Sequence, residues 1–254
     1  MSVVTETATI DMEQPGVPMS RLVRVELRKT YDTLAGRWLL GAIVAITALV
    51  MVIFLINADA DERLWSNFVG VTATPQGILL PVLGILLVTS EWSQRTGLVT
   101  FTLEPRRSRV VVAKVGAALL LGVFAVTVAL VVAAIGTVAS GGEWDFAWSG
   151  IGKFVLLQLI SVLQGLAFGL LILNSAAAIV AYFILPTLFN ILSSLWTKMS
   201  DIQPWVDLGF SSQKLFAQPS MSSDEWWQLL SGFAIWVAAP LAIGVWRLLR
   251  AELK

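Results

Sequence analysis

The stretch "FVLLQLISVLQGLAFGLLILNSAAAIVAYFILPTLFNILSSLWT", Phe154 to Thr197, holds no charged residue. It is too long for one membrane-spanning helix, which needs about 20 apolar residues. It does not alternate polar and apolar positions as the strands of a membrane barrel do, so helices that satisfy their own backbone are the reading. Inside it, "LNSAAA", Leu173 to Ala178, is the best place to cut, because Asn174 and Ser175 are turn formers. That predicts one helix over Phe154–Leu173 and another over Ala176–Trp196. Working outward, four more apolar runs meet the same criterion: Trp38–Ile56, Phe68–Ser90 with Pro75 and Pro81 inside it, Val110–Ala139, and Trp226–Trp246. The expected fold is an all-α polytopic integral membrane protein with six transmembrane helices.

Composition agrees. Of 254 residues, 57% are hydrophobic and 13% charged, against roughly a quarter charged in soluble domains. There is no cysteine and no histidine. This excludes disulfides, thiolate metal sites and thiol catalysis, and removes the commonest general base. With no acid inside a predicted span either, a membrane-embedded enzyme is disfavoured; no catalytic residue and no metal site is expected. A secondary carrier is disfavoured too, since ion coupling usually needs intramembrane ionisable groups and no inverted repeat is visible. A non-transporting membrane sensor or assembly partner stays open as an alternative. Residues 1–19 are polar, carry Glu6, Asp11 and Glu13, and lack the basic and apolar regions of a signal peptide. They are expected to be a disordered cytoplasmic tail, with residues 20–254 forming the six-span domain.

Charge fixes an expected orientation. Arg21, Arg24, Arg28, Lys29 and Arg37 precede the first span. Arg95, Arg106, Arg107, Arg109 and Lys114 follow the second. Arg247, Arg250 and Lys254 follow the sixth. Of the 17 Lys and Arg, only Arg63, Lys153, Lys198 and Lys214 fall on the other side, which carries nine of the 17 acids. Both termini are therefore expected to be cytoplasmic. Tryptophans cluster at the predicted span ends (Trp38, Trp65, Trp92, Trp196, Trp226, Trp246), as in an interfacial aromatic belt; Trp236 sits mid-span.

"SRLVRVELRKTYDTLAGRW", Ser20 to Trp38, reads as an N-terminal amphipathic interfacial helix. Val23, Leu27, Tyr31, Leu34 and Trp38 share one face, Arg21, Arg24 and Arg28 a neighbouring arc, and Ser20 is a candidate N-cap. Lying at the inner interface with its bases toward lipid phosphates, it is either a topology anchor or also a lever touching a cytoplasmic partner.

"EWSQRTGLVTFTLEPRRSRVVVAK", Glu91 to Lys114, joins the second and third spans. Glu91 and Arg95 are four apart and expected to pair on a helical extension. Thr96-Gly97 loosens the helix, Pro105 ends what precedes it, and Arg106, Arg107 and Arg109 open the third span. A positive-inside loop explains the bases. It does not explain Leu98, Phe101 and Leu103 between them; exposed apolar residues rimmed by charge suggest a protein contact.

Polar residues also mark the fourth and fifth spans. Gln158 and Ser161 share a face with Gly165 and Gly169, the last two forming a G-x-x-x-G; Pro186, Asn190, Ser193 and Thr197 share another. These residues serve either helix packing or a substrate path at a dimer interface. Met199 to Gln228 is too long for a turn, and its apolar content suits a pair of short helices dipping into the outer leaflet. No P-loop is present: in "AWSGIGKF", Ala147 to Phe154, Ala147 replaces the first glycine and Phe154 the Ser/Thr.

Six spans, with Glu91, Thr96-Gly97, Pro105, Ser108-Arg109 and Lys114 in that order across the loop, resemble the permease subunits of bacterial ABC-2 type exporters. The resemblance covers the whole chain, including the amphipathic leading helix and the long segment before the sixth span. It implies a multi-pass protein of the bacterial plasma membrane, paired with a second permease subunit, the same or similar. Two copies of a separate ATP-binding subunit would hold ATP and Mg, so this chain would bind no cofactor; membrane lipid is a further partner and nucleic acid is not. The loop after the second span would be the ATPase-coupling element, with Leu98, Phe101 and Leu103 as docking knobs and Glu91 and Arg95 stiffening the link. The uncharged spans suit a hydrophobic or amphipathic cargo such as a drug, antibiotic or lipid-like molecule.

Overall fold

A computed structural model describes residues 17–94, 96–145, 148–217 and 221–250. The tail expected over residues 1–19 lies outside the described residues as far as Gly16. About 90% of the described residues are helical, and there is no strand among them. Among the described residues, six helical stretches are long and apolar enough to cross a membrane. They are α2 (Leu34–Asn57), α3 (Trp65–Ser93), α5 (Arg107–Ser140), α6 (Trp148–Ile172), α7 (Ser175–Leu195) and a composite sixth. The sixth joins α10 (Ser223–Phe233), a π-helical turn (Ala234–Ala238) and α11 (Ala239–Arg250). Each predicted span falls within or closely overlaps one of these. The cut at "LNSAAA" is also where the chain turns: Leu173 adopts φ 58, and the Asn174 side chain caps α7 by accepting from the Ala177 amide at 3.0 Å.

α3 is the central helix, packing against α6, α5 and α2. It runs unbroken through Pro75 and Pro81. Its contact with α6 is close because small residues meet backbone. A Cβ on Gly165 would lie 2.0 Å from the Pro81 carbonyl oxygen, and one on Gly84 2.3 Å from that of Val162. The G-x-x-x-G of α6 therefore works inside the chain, as small residues do wherever helix backbones approach. α7 is the opposite case. Only 6% of its most apolar window is buried, and Val180, Ile184, Leu188 and Ile191 all point outward.

The leading helix differs from expectation. It is α1 (Met19–Asp32), and it does not run on to Trp38. Thr33 turns extended, and its hydroxyl accepts from the Gly36 amide at 3.2 Å, capping α2. Pro18, not Ser20, precedes the first turn, and no side chain caps it. The inward face of α1 is Val23, Glu26, Leu27 and Thr30, whereas Tyr31, Leu34 and Trp38 are exposed.

Before the sixth span lie two short helices, α8 (Thr197–Val206) and α9 (Leu208–Ala217), as the segment's apolar content suggested. Leu208 and Leu215 bury against Ile160, Leu229 and Val237. Trp236, on the π turn, donates its indole N–H to the Val206 carbonyl at 2.6 Å, and the Ser231 hydroxyl donates to that of Trp205 at 2.6 Å. These bonds hold the joint between α8 and α9 to the sixth span.

Candidate functional site

At the arginine-rich end of the bundle, α1, α3 and α5 converge on four charged side chains. Lys114 Nζ lies 2.6 Å from Glu26 Oε2 and 3.1 Å from Glu91 Oε2. Lys29 Nζ lies 2.7 Å from Glu26 Oε1 and 2.5 Å from Glu91 Oε1. Each acid thus touches both lysines and each lysine both acids, a closed neutral ring. Three members are nearly inaccessible: Glu26 is 3% exposed, Glu91 4% and Lys114 2%. Lys114 also donates to the Leu87 carbonyl at 3.2 Å. Burial disfavours the charged form of Lys29, but the carboxylates of Glu26 and Glu91 outweigh it and hold its pKa above the ordinary 10.5. A buried ring of this kind costs much of its Coulombic gain in desolvation. Its consequence is positional: the four groups are satisfied only in one register of α1, α3 and α5.

The ring also grips the loop after α3. Within it, α4 (Gly97–Leu103) is a two-turn helix. The Thr100 hydroxyl donates to Glu91 Oε1 at 3.2 Å and accepts from Lys29 at 3.3 Å. At the far end, Arg109 donates to Glu104 at 3.0 Å and also to the Val17 carbonyl, tying the loop to the start of α1. Pro105 separates α4 from α5, as the sequence suggested. α4 is therefore anchored to the bundle on both sides.

Several expected roles change. The Glu91 carboxylate points inward to the two lysines; Arg95, its expected partner, lies outside the described residues. Phe101 is not an outward knob. It is 8% exposed and packs in the core cluster, with the Arg107 guanidinium 5.3 Å above its ring. Seven residues of helix between two charged anchors must bury one face, and Phe101 lies on it. Leu103, 76% exposed, does face outward; the Leu98 side chain lies outside the described set. Arg107 also donates to the Leu248 carbonyl at 2.7 Å, and Arg247 to that of Leu171 at 2.6 Å. Both guanidiniums thus sit at helix C-termini, where the macrodipole favours cations. On α1, Arg21, Arg24 and Arg28 are exposed, and Leu27 packs on the core.

The polar residues of the fourth and fifth spans are not brought together. Gln158 faces α3 and is buried: its amide donates to Gln76 Oε1 at 2.8 Å, and Gln76 donates to the Ala125 carbonyl at 2.7 Å. Ser161 bonds back to the Leu157 carbonyl at 3.0 Å, and Gly165 is closed off by Pro81. On α7, Asn190 donates to the carbonyl of Pro186 and accepts from Gln203 of α8 at 2.9 Å. Ser193 is buried with no partner for its hydroxyl among the described residues.

Lys29 entered the sequence reading only as one of the bases before the first span, and Glu26 is the ring residue that it missed altogether. Its signal was present, a lone acid on the arc shared by Val23, Leu27 and Thr30. Among the described residues no group of acids is arranged to hold a metal. Trp148 to Lys153 of the rejected P-loop candidate form the first turns of α6 rather than a loop. No protein-family model matches the chain, and no curated protein matches it either.

Proposed function

We propose that the chain is the transmembrane permease subunit of an ATP-driven exporter of ABC-2 type. It would move a hydrophobic or amphipathic cargo outward while a separate subunit hydrolyses ATP. The observation that carries this reading is the mounting of α4. A short helix between the second and third spans is fixed to three helices by a buried ion-pair ring at one end and by Arg109 at the other. Force applied to such a helix moves α1, α3 and α5 together rather than bending a loop. The excess of Lys and Arg at this end supports a cytoplasmic location for α4 and both termini, in the bacterial plasma membrane. The outward apolar faces of α2 and α7 suit lipid and a second permease subunit, the same or similar. The α8–α9 pair, held to the sixth span, suits a gate at the outer leaflet.

The test is co-expression with candidate ATP-binding subunits, followed by co-purification and ATPase-dependent efflux. Leu103→Asp, on the exposed face of α4, is expected to lose both association and efflux while the chain still inserts. Undiminished association, or a reporter in the α4 loop that proves external, refutes the reading.

A further inference from the structure

The sixth span is not one continuous α-helix. Between α10 and α11, residues Ala234–Ala238 form a π turn, in which the Ala239 amide donates to the Ala234 carbonyl, five residues back. Pro240 follows, and it has no N–H to offer the Trp236 carbonyl, so even a plain α-helix would lack a ladder bond here. A π turn takes in one residue more than an α turn and is a recognised cause of sharp helix bends. Here it also sets register. At about 100° per residue, Gly232 and Gly244 would lie about 120° apart around an unbroken helix; the extra residue takes back about 100° and leaves them nearly on one face. Both are contact points. A Cβ on Gly232 would lie 3.0 Å from Leu208 Cα of α9, and one on Gly244 2.7 Å from the Leu170 carbonyl carbon of α6.

The two halves of the span are fixed to different neighbours. α11 stays with the bundle: Arg247 donates to the Leu171 carbonyl of α6, and the Leu248 carbonyl accepts from Arg107 of α5. α10 belongs with α8 and α9. Lys214 of α9 donates to Gln228 at 2.8 Å, Ser231 donates to the Trp205 carbonyl of α8, and Leu229 buries against Leu208 and Leu215. These three short helices meet the rest through an apolar contact on Ile160 of α6, an amide bond from Gln203 to Asn190 of α7, and Trp236. Trp236 is the tryptophan that an interfacial belt does not explain. It lies on the π turn, its indole N–H donates to the Val206 carbonyl at the α8–α9 joint, and its ring stacks on Phe168 of α6 at 6.3 Å, 7° from parallel. One side chain thus clasps the three-helix unit to the core.

We infer that the π turn is a hinge on which α8, α9 and α10 swing as a unit against the bundle, with Trp236 as its latch. Release of the Val206 bond and of the Phe168 stack frees the unit, while α11 keeps its place on α5 and α6. α10 is an arm of 11 residues, about 16 Å long at 1.5 Å per residue. A bend of about 20°, the threshold of a sharp kink, carries its far end about 6 Å. The hinge does not depend on the export reading; under that reading it is the joint at which the outer gate moves.

The chain has no cysteine, so introduced pairs carry spin labels at known positions. Asp224→Cys, exposed at the far end of α10, is paired with Val138→Cys, exposed near the same end of α5; Val138→Cys with Leu249→Cys of α11 is the control. Distances are read by pulsed electron spin resonance on the full-length protein in lipid nanodiscs, with no ATPase and no cargo. The Asp224 pair is expected to show a major and a minor distance, and the control pair one. Trp236→Phe keeps a stacking ring and loses the N–H. It should raise the minor population relative to the major about 3- to 18-fold, the equilibrium equivalent of one hydrogen bond between membrane helices. Phe168→Leu, which removes the stack and leaves the bond, should act in the same direction, and an unchanged control distance shows that either variant is folded. Three results overturn the inference: one distance for the Asp224 pair in all three backgrounds; two distances whose populations ignore both substitutions; or equal shifts in the Asp224 and control pairs, which mean that the whole bundle loosens. None of these bears on ATPase association, so failure here is distinct from failure of the export reading.

Discussion

Lys114→Met is the most informative single change to the ion-pair ring. Methionine keeps roughly the length and volume of lysine and removes its charge. Lys114 is 2% exposed and within 3.1 Å of both Glu26 and Glu91, so its loss leaves two buried carboxylates sharing Lys29 alone. Removing one partner of a buried pair typically costs about 3–5 kcal/mol, and that is the expected loss. The discriminating variant is the double change Lys114→Met with Glu26→Gln. It restores neutrality, leaving Lys29 on Glu91 at 2.5 Å. If the ring acts as a unit, the double variant recovers much of the loss, with a coupling energy near the upper end of the roughly 0.5–3 kcal/mol seen between contacting residues. The assay is unfolding in mixed micelles as the denaturing detergent fraction rises, followed through the 11 tryptophans. Additive losses would falsify the unit, because each side chain would then contribute separately and the ring could not fix helix register.

Three further outcomes follow from particular contacts. Gly165→Ala should destabilise by at least the roughly 1–3 kcal/mol of an overpacked core, because its Cβ would fall 2.0 Å from the Pro81 oxygen. Gly77→Ala, whose Cβ meets nothing within 4 Å, should be neutral or stabilising; equal melting behaviour of the two would refute the close α3–α6 contact. Gln158→Leu strands the Gln76 carbonyl, and should cost about 0.6–1.7 kcal/mol, the range for hydrogen bonds between membrane helices; a gain in stability on unfolding would count against that bond. The pKa of Lys29 is raised above 10.5 by Glu26 and Glu91. Its contribution is therefore fully present below the unfolded value and lost as pH climbs through the higher folded one. A stability profile from pH 9 upward, at values reached with about the ordinary lysine pKa in mid-range, should fall at its alkaline end. Lys29→Arg should move that fall to higher pH, and an unchanged profile would show that Lys29 does not titrate within the ring.

What the sequence determined by itself was the set of spans. Whether twenty residues can enter a membrane depends on their own side chains and on a fixed rise per residue, so the six helices, the turn at Asn174 and the pair of short helices before the last span were legible without any contact map. The uneven distribution of Lys and Arg was legible for the same reason. The tertiary structure decided what each polar group does once the helices meet. Glu26 and Lys114 are 88 positions apart, and an acid on a helix face reads as solvated until a lysine from another helix reaches it. Phe101 in a charged loop reads as exposed until α4 turns it inward beneath Arg107. Gly165 shows no partner until Pro81 arrives within contact. Burial and pairing are properties of neighbours that packing brings from elsewhere in the chain, and no local pattern of residues contains them.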